Sequence, residues 1–173
     1  MDLEKNTYQV LENVAQATQK ANRSKNSVEV IAVTKYVDSS TAKELVKTGI
    51  QHIGENRVDK FLEKYQELKD EGLTWHLIGT LQRRKVKDII NYVDYFHALD
   101  SVKLAEEINK RANHIVKCFL QVNVSGEESK HGFAIEEVEA ALKSLENLER
   151  IKIVGIMTMA PIDASEDELK NIF

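Results

Sequence analysis

Six short apolar runs succeed one another along the chain, and between them lie stretches whose apolar residues repeat at three and four; this alternation restricts the fold more than any other feature. The first run, residues 28–36 (VEVIAVTKY), is interrupted only by Glu29 until it meets Lys35 and the turn residues Asp38, Ser39 and Ser40. A run apolar at nearly every position suits a strand covered on both faces, as in a parallel sheet surrounded by helices. Further strands are expected over 50–54, 75–79, 95–99, 116–124 and 151–157.

The intervening stretches read as helices. Val10, Leu11, Val14, Thr18 and Ala21 give the opening segment 3–21 one apolar face, and Thr41 and Glu44 have capping-box spacing ahead of a helix stopped by Gly49. Val58, Phe61, Leu62, Tyr65 and Leu68 mark a helix over 57–71 closed by Gly72. Val86, Ile89, Ile90 and Val93 mark the next, and Val102, Ala105, Ile108 and Ala112 another behind Ser101. Ile135, Val138, Ala141, Leu142 and Leu145 follow, and Leu169, Ile172 and Phe173 begin the last.

Helical crossovers between strands imply parallel pairing with right-handed connections. An open doubly wound sheet carries a Gly-rich phosphate turn after its first strand; that place here holds TKYVDSS, which favours a barrel. The strand ends recur every 21 to 32 residues, giving six units, whereas a closed barrel needs eight. The expectation is therefore an α/β fold: a single domain over 1–173, a TIM-like (β/α)8 barrel truncated after about six strands.

A formal net charge of −4 argues against nucleic acid or an anionic membrane as partner. No stretch reaches the length of a membrane span, and MDLEKNTYQV lacks the basic and apolar regions of a secretion signal, so a cytoplasmic location is expected. Cys118, the single cysteine, lies in an apolar run and reads as a core residue. His52, His76, His97, His114 and His131 show no close ligand spacing, and no metal site is expected. Arg83, Arg84, Lys85 and Lys87 read as a solvated helix start or as an attractor of a phosphate-bearing ligand.

In such a barrel every strand's carboxyl end opens on one rim, where α/β folds place their chemistry. Lys35 and Tyr36; Glu55, Asn56 and Arg57; Thr80 and Gln82; Asp100; Asn123, Ser125 and Lys130; and Met157 with Thr158 would gather there. A partly desolvated lysine amine can attack a carbonyl to give a Schiff base, although most strand-end lysines extend into water. Glu55 and Asn56 equally suit a helix N-terminus, and a strand histidine such as His76 reads as a satisfied core residue. If 28–36 is a strand throughout, Tyr36 points away from Lys35 and cannot act with it.

Five segments together carry a resemblance: IAVTKY around Lys35, HIGENRV (52–58), WHLIGTLQRRKVK (75–87), VNVSGEESKHGF (122–133) and GIMTMAP (155–161). In order and spacing they resemble the YggS/PROSC family of pyridoxal phosphate homeostasis proteins, which is similar in fold to the barrel of alanine racemase, fold type III of the pyridoxal phosphate (PLP) proteins. The resemblance implies that Lys35 holds pyridoxal 5'-phosphate as a Schiff base. It places Asn56 and Met157 near the cofactor ring, His76 and Gly79 along the floor beside it, and Lys130 in a second mode of cofactor binding or transfer.

The function so implied is non-catalytic: a monomer that buffers PLP and delivers it to apo-enzymes. The alternative is a small PLP-dependent amino-acid racemase. Two departures stand out. Thr80 occupies the place of a histidine common in the family. The Ser-Met-Gly-Met-Ser segment and the Gly-rich, arginine-containing last strand that hold the phosphate in family members are not among residues 1–173, which by themselves are expected to bind PLP weakly.

Overall fold

The computed structural model describes residues 2–126 and 131–173. A helix, α1 (Leu3–Lys20), precedes six strands: β1 (Ala32–Val33), β2 (His52–Glu55), β3 (Thr74–Leu77), β4 (Tyr95–Leu99), β5 (Val116–Gln121) and β6 (Ile151–Met157). Between them run α2 (Ser39–Lys47), α3 (Val58–Leu68), α4 (Val86–Ile89), α5 (Val102–Arg111) and α6 (Val138–Leu145), and α7 (Glu166–Ile172) follows β6. The strands form one parallel sheet in the order β1-β2-β3-β4-β5-β6, so each strand pairs only with its neighbours in sequence. Right-handed crossovers in that order put the helices on one side, the arrangement of a (β/α) barrel wall.

Alternation along the strands divides the sheet into two faces. Ile53, Trp75, Leu77, Phe96, Cys118 and Leu120 turn to the helices and meet Phe61, Leu68, Val86, Ile89, Leu104, Ala105, Ile108, Ala141 and Leu145 in one buried core. The Trp75 ring lies 5.2 Å from those of both Phe61 and Tyr65. Each fully buried large side chain of this set contributes about 1.5–3 kcal/mol. The opposite face carries the rings of His52, His76, His97, Tyr95 and Phe119 in mutual contact.

Strands β4 and β6 have the expected limits; the others differ for identifiable reasons. The expected nine-residue first strand contracts to Ala32–Val33, because β1 is an edge strand bonded only to β2 and the chain enters a turn at Thr34. Val33 is accordingly 48% exposed, not covered on both faces. Helix α1 forms as expected, but only Thr7 and Thr18 are buried; Val10 and Leu11 front an open cleft shared with Val30 and Val33. Helix α2 is capped by Asp38, whose carboxylate accepts from Thr41 N–H at 2.8 Å, in place of the expected Thr41–Glu44 box. Gly49 and Gly72 end their helices at φ +97° and +70°, conformations that glycine adopts without strain.

Candidate functional site

Lys35 lies two residues past the end of β1, at the second position of a turn over residues 34–37 closed by the Val37 N–H donating to Thr34 O at 3.1 Å. The turn, and not an extended strand, sets the relation of Lys35 to Tyr36. The amine sits 5.0 Å from the centre of the Tyr36 ring, which is 91% exposed, so the two side chains share a side instead of opposing one another. Lys35 itself is half-buried and forms no ion pair among the described residues.

Asn56 follows β2 and Gly79 follows β3, and the two backbones abut. A Cβ on Gly79 would stand 2.1 Å from Asn56 O, so only glycine permits this approach. The Asn56 side chain is half-buried and makes no hydrogen bond within the described residues. Arg57 holds the N-cap position before α3 and makes no side-chain cap hydrogen bond, so Glu55 and Asn56 do not serve as its N-cap. At the ends of adjacent strands the fold thus leaves one amine and one amide uncommitted, the donor set that an aldehyde with neighbouring oxygens requires.

Met157 ends β6 opposite Gln121 of β5. In a parallel sheet this is the same rim as Lys35, Asn56 and Gly79, at the other edge of the sheet from β1. His76 stands apart from the rim: it lies inside β3, 3% exposed, opposite Gly54 and Tyr95 in the strand register. Lys130 falls outside the described residues. The basic residues Arg83, Arg84 and Lys85 occupy an exposed turn, where Arg84 donates to Gln82. A cleft of about 890 Å³ opens between the start of α1 and the end of α2, bounded by Asp2, Glu44 and Lys47; none of the strand-end groups lines it.

Two sets of interactions escaped the sequence reading. His52, His76 and His97, for which the sequence shows no metal-ligand spacing, form a hydrogen-bonded chain, and His76 is the satisfied core residue expected of a strand histidine. His52 Nδ1 meets His76 Nε2 at 2.9 Å, and His76 Nδ1 meets His97 Nε2 at 2.8 Å. Each contact needs one N–H and one lone pair, so the proton positions on the three rings are set together. Glu29 Oε1, 3.7 Å from His52 Nε2, favours the proton on Nε2 throughout. Burial, and then the neighbouring rings of His97 and His52, pushes His76 down to about 3; burial alone takes His97 to about 4. Their appearance at alternate positions of successive strands was the available signal.

The second set is a buried ion pair. Lys64 of α3 donates to Glu55 Oε1 at 2.5 Å and to Thr34 O at 2.7 Å, and the Thr34 hydroxyl donates to the same Glu55 oxygen at 2.6 Å. Lys64 occupies a position within the inward stripe of α3, three residues after Phe61 and four before Leu68. A cation there demands a buried carboxylate, and among the described residues Glu55 at the end of the preceding strand answers that need.

The sheet order and the lysine beyond the first strand define a class: residues 6–171 match the family model described as alanine racemase, N-terminal domain. Within that class the similarity is narrower. A pyridoxal phosphate homeostasis protein of Aquifex aeolicus is 38% identical over 167 residues, 95% of this chain and 73% of that protein. Among solved structures, an unknown protein from Bifidobacterium adolescentis superposes with a TM-score of 0.90 at 28% identity, covering 98% of this chain and 74% of that one. PipY of Synechococcus elongatus PCC7942, solved with PLP bound, superposes at 0.78 with 31% identity, covering 91% and 74%. The chain belongs to the YggS/PROSC family of pyridoxal phosphate homeostasis proteins.

Proposed function

We propose that this chain binds pyridoxal 5'-phosphate reversibly through Lys35, and buffers it or hands it to apo-enzymes without turning over a substrate. Support comes first from the uncommitted amine of Lys35 on a turn at the carboxyl rim, in a chain whose relatives include a PLP-bound structure. The aldehyde supplies an electrophilic carbon; the amine condenses with it and releases one water. Asn56 and Gly79 bound the site on the β2 and β3 side, Met157 on the β6 side, and His76 lies below it in β3. A free aldehyde reacts with amines throughout a cell, so a reversible link to one protein lysine limits that damage while keeping PLP available.

A racemase needs two bases on opposite faces of the substrate Cα, and Tyr36 lies on the same side as Lys35. Our reading includes a cytoplasmic location and a monomeric state; among the described residues no helix is long and apolar enough to cross a membrane. Borohydride reduction after incubation with PLP, followed by peptide mass spectrometry, is expected to place the adduct on Lys35, and Lys35→Met to abolish it. An adduct confined to Lys130 overturns the assignment. Single-enantiomer amino acids in D2O should gain Cα deuterium no faster than with free PLP, and faster uptake refutes the carrier reading.

A further inference from the structure

Lys64 takes no part in the proposed PLP site, yet it is a buried cation held directly against the residue that precedes Lys35. We propose that the Glu55–Lys64 pair is a positioning device for the Lys35 amine. This rests on Lys35 being the amine that takes PLP.

Every polar group of Thr34 is used. Its N–H donates to Gly54 O at 3.0 Å, its hydroxyl donates to Glu55 Oε1, and its carbonyl accepts from both Val37 N–H and Lys64 Nζ. One carbonyl oxygen therefore closes the turn that carries Lys35 and Tyr36 and is gripped from below by an ammonium. Three elements meet at that point: the exit of β1, the last residue of β2 and the middle of α3. Among the described residues the Lys35 side chain has no comparable anchor, since its amine meets only the Tyr36 ring there. Its direction depends on the backbone from which it grows, and that backbone is fixed by the clamp.

Stability alone is a poor explanation for the pair. Taking two charges out of water costs about as much as their attraction returns, and well-packed apolar side chains of similar volume often serve as well. Glu55 Oε2 is also buried with no hydrogen-bond partner among the described residues, which adds cost and no compensating contact. What apolar side chains cannot do is hold the Thr34 carbonyl and hydroxyl at once.

The test is the double substitution Glu55→Leu with Lys64→Met, which replaces the charges with apolar groups of similar volume. The thermal midpoint should be retained while two readouts move. Hydrogen exchange at the Val37 amide should rise, because its acceptor is no longer held. The rate at which PLP is captured on Lys35, read as the borohydride-fixed adduct, should fall about tenfold, since misplacing a reacting group by a fraction of an ångström is enough. Either readout left unchanged overturns the proposal. If the unmodified chain captures no PLP on Lys35, the proposed function fails, and Val37 exchange alone then decides the clamp: faster in the variant supports it, unchanged overturns it. If the double variant does not fold, Glu55→Gln with Lys64→Met takes its place, which still removes the ammonium from the Thr34 carbonyl but leaves an amide oxygen to accept from the Thr34 hydroxyl; the same two readouts apply with the same meaning.

Discussion

Lowering the pH from about 8 to about 5 protonates imidazoles of the unfolded chain, which titrate near about 6.5, while His76 and His97 stay neutral in the folded one. Burial, helped at His76 by the His97 and His52 rings, holds them to about 3 and about 4. The unfolded state thus takes up protons that the folded state refuses. The stabilisation is complete above about pH 6.5 and falls away as the pH drops towards the folded values. At pH 5 the unfolded imidazole is about 1.5 units past its midpoint, and about 1.4 kcal/mol per unit gives about 2 kcal/mol per group. His97 keeps some contact with solvent, which screens part of its share, so the two together should lower the unfolding free energy by about 2–4 kcal/mol. Urea unfolding followed by the fluorescence of Trp75, the single tryptophan and a buried one, reads this directly provided the slope stays constant. His97→Phe keeps a ring against Phe119 and should remove about half of the pH dependence, at a cost of about 1–3 kcal/mol near neutrality from the unpaired His76 nitrogen. Unfolding free energies at the two pH values that agree within about 0.5 kcal/mol would refute the reasoning.

Gly79→Ala forces a methyl against the Asn56 carbonyl, which is backbone and cannot swing aside, so it should destabilise by about 1–3 kcal/mol in the same urea assay and slow PLP capture on Lys35. Cys118, whose thiol burial pushes up to about 12, should resist iodoacetamide in the native chain at about pH 8 and react fully in denaturant; native-state alkylation would contradict the packing of β5.

Much of the architecture was legible because periodicity reports burial, and burial is what a parallel sheet with helices on one side imposes. β4 and β6 emerged with the expected limits since apolar alternation and strand pairing end together there. β1 did not, because its apolar residues continue past the point where a neighbour exists to bond them. The apolar residues of α1 failed for the related reason that a stripe shows which face seeks cover, not how closely cover is supplied. At the site, Lys35 could be found from an amine following an apolar run, whereas its turn could not, since the bond that makes it joins backbone atoms. The pairing of Lys64 with Glu55 required knowing that the inward stripe of one element faces the end of another. The histidine chain likewise depends on the register of three strands, which a single sequence does not display.

Because each of these six strands bonds to those next to it in the chain, this part of the sheet can be assembled from its amino end one unit at a time. Among the described residues, the hydrogen bonds that set the turn carrying Lys35 come from Gly54, Glu55 and Lys64. On a ribosome releasing residues in order, the turn that presents the amine can form once α3 has emerged, while β4, β5 and β6 are still to be made.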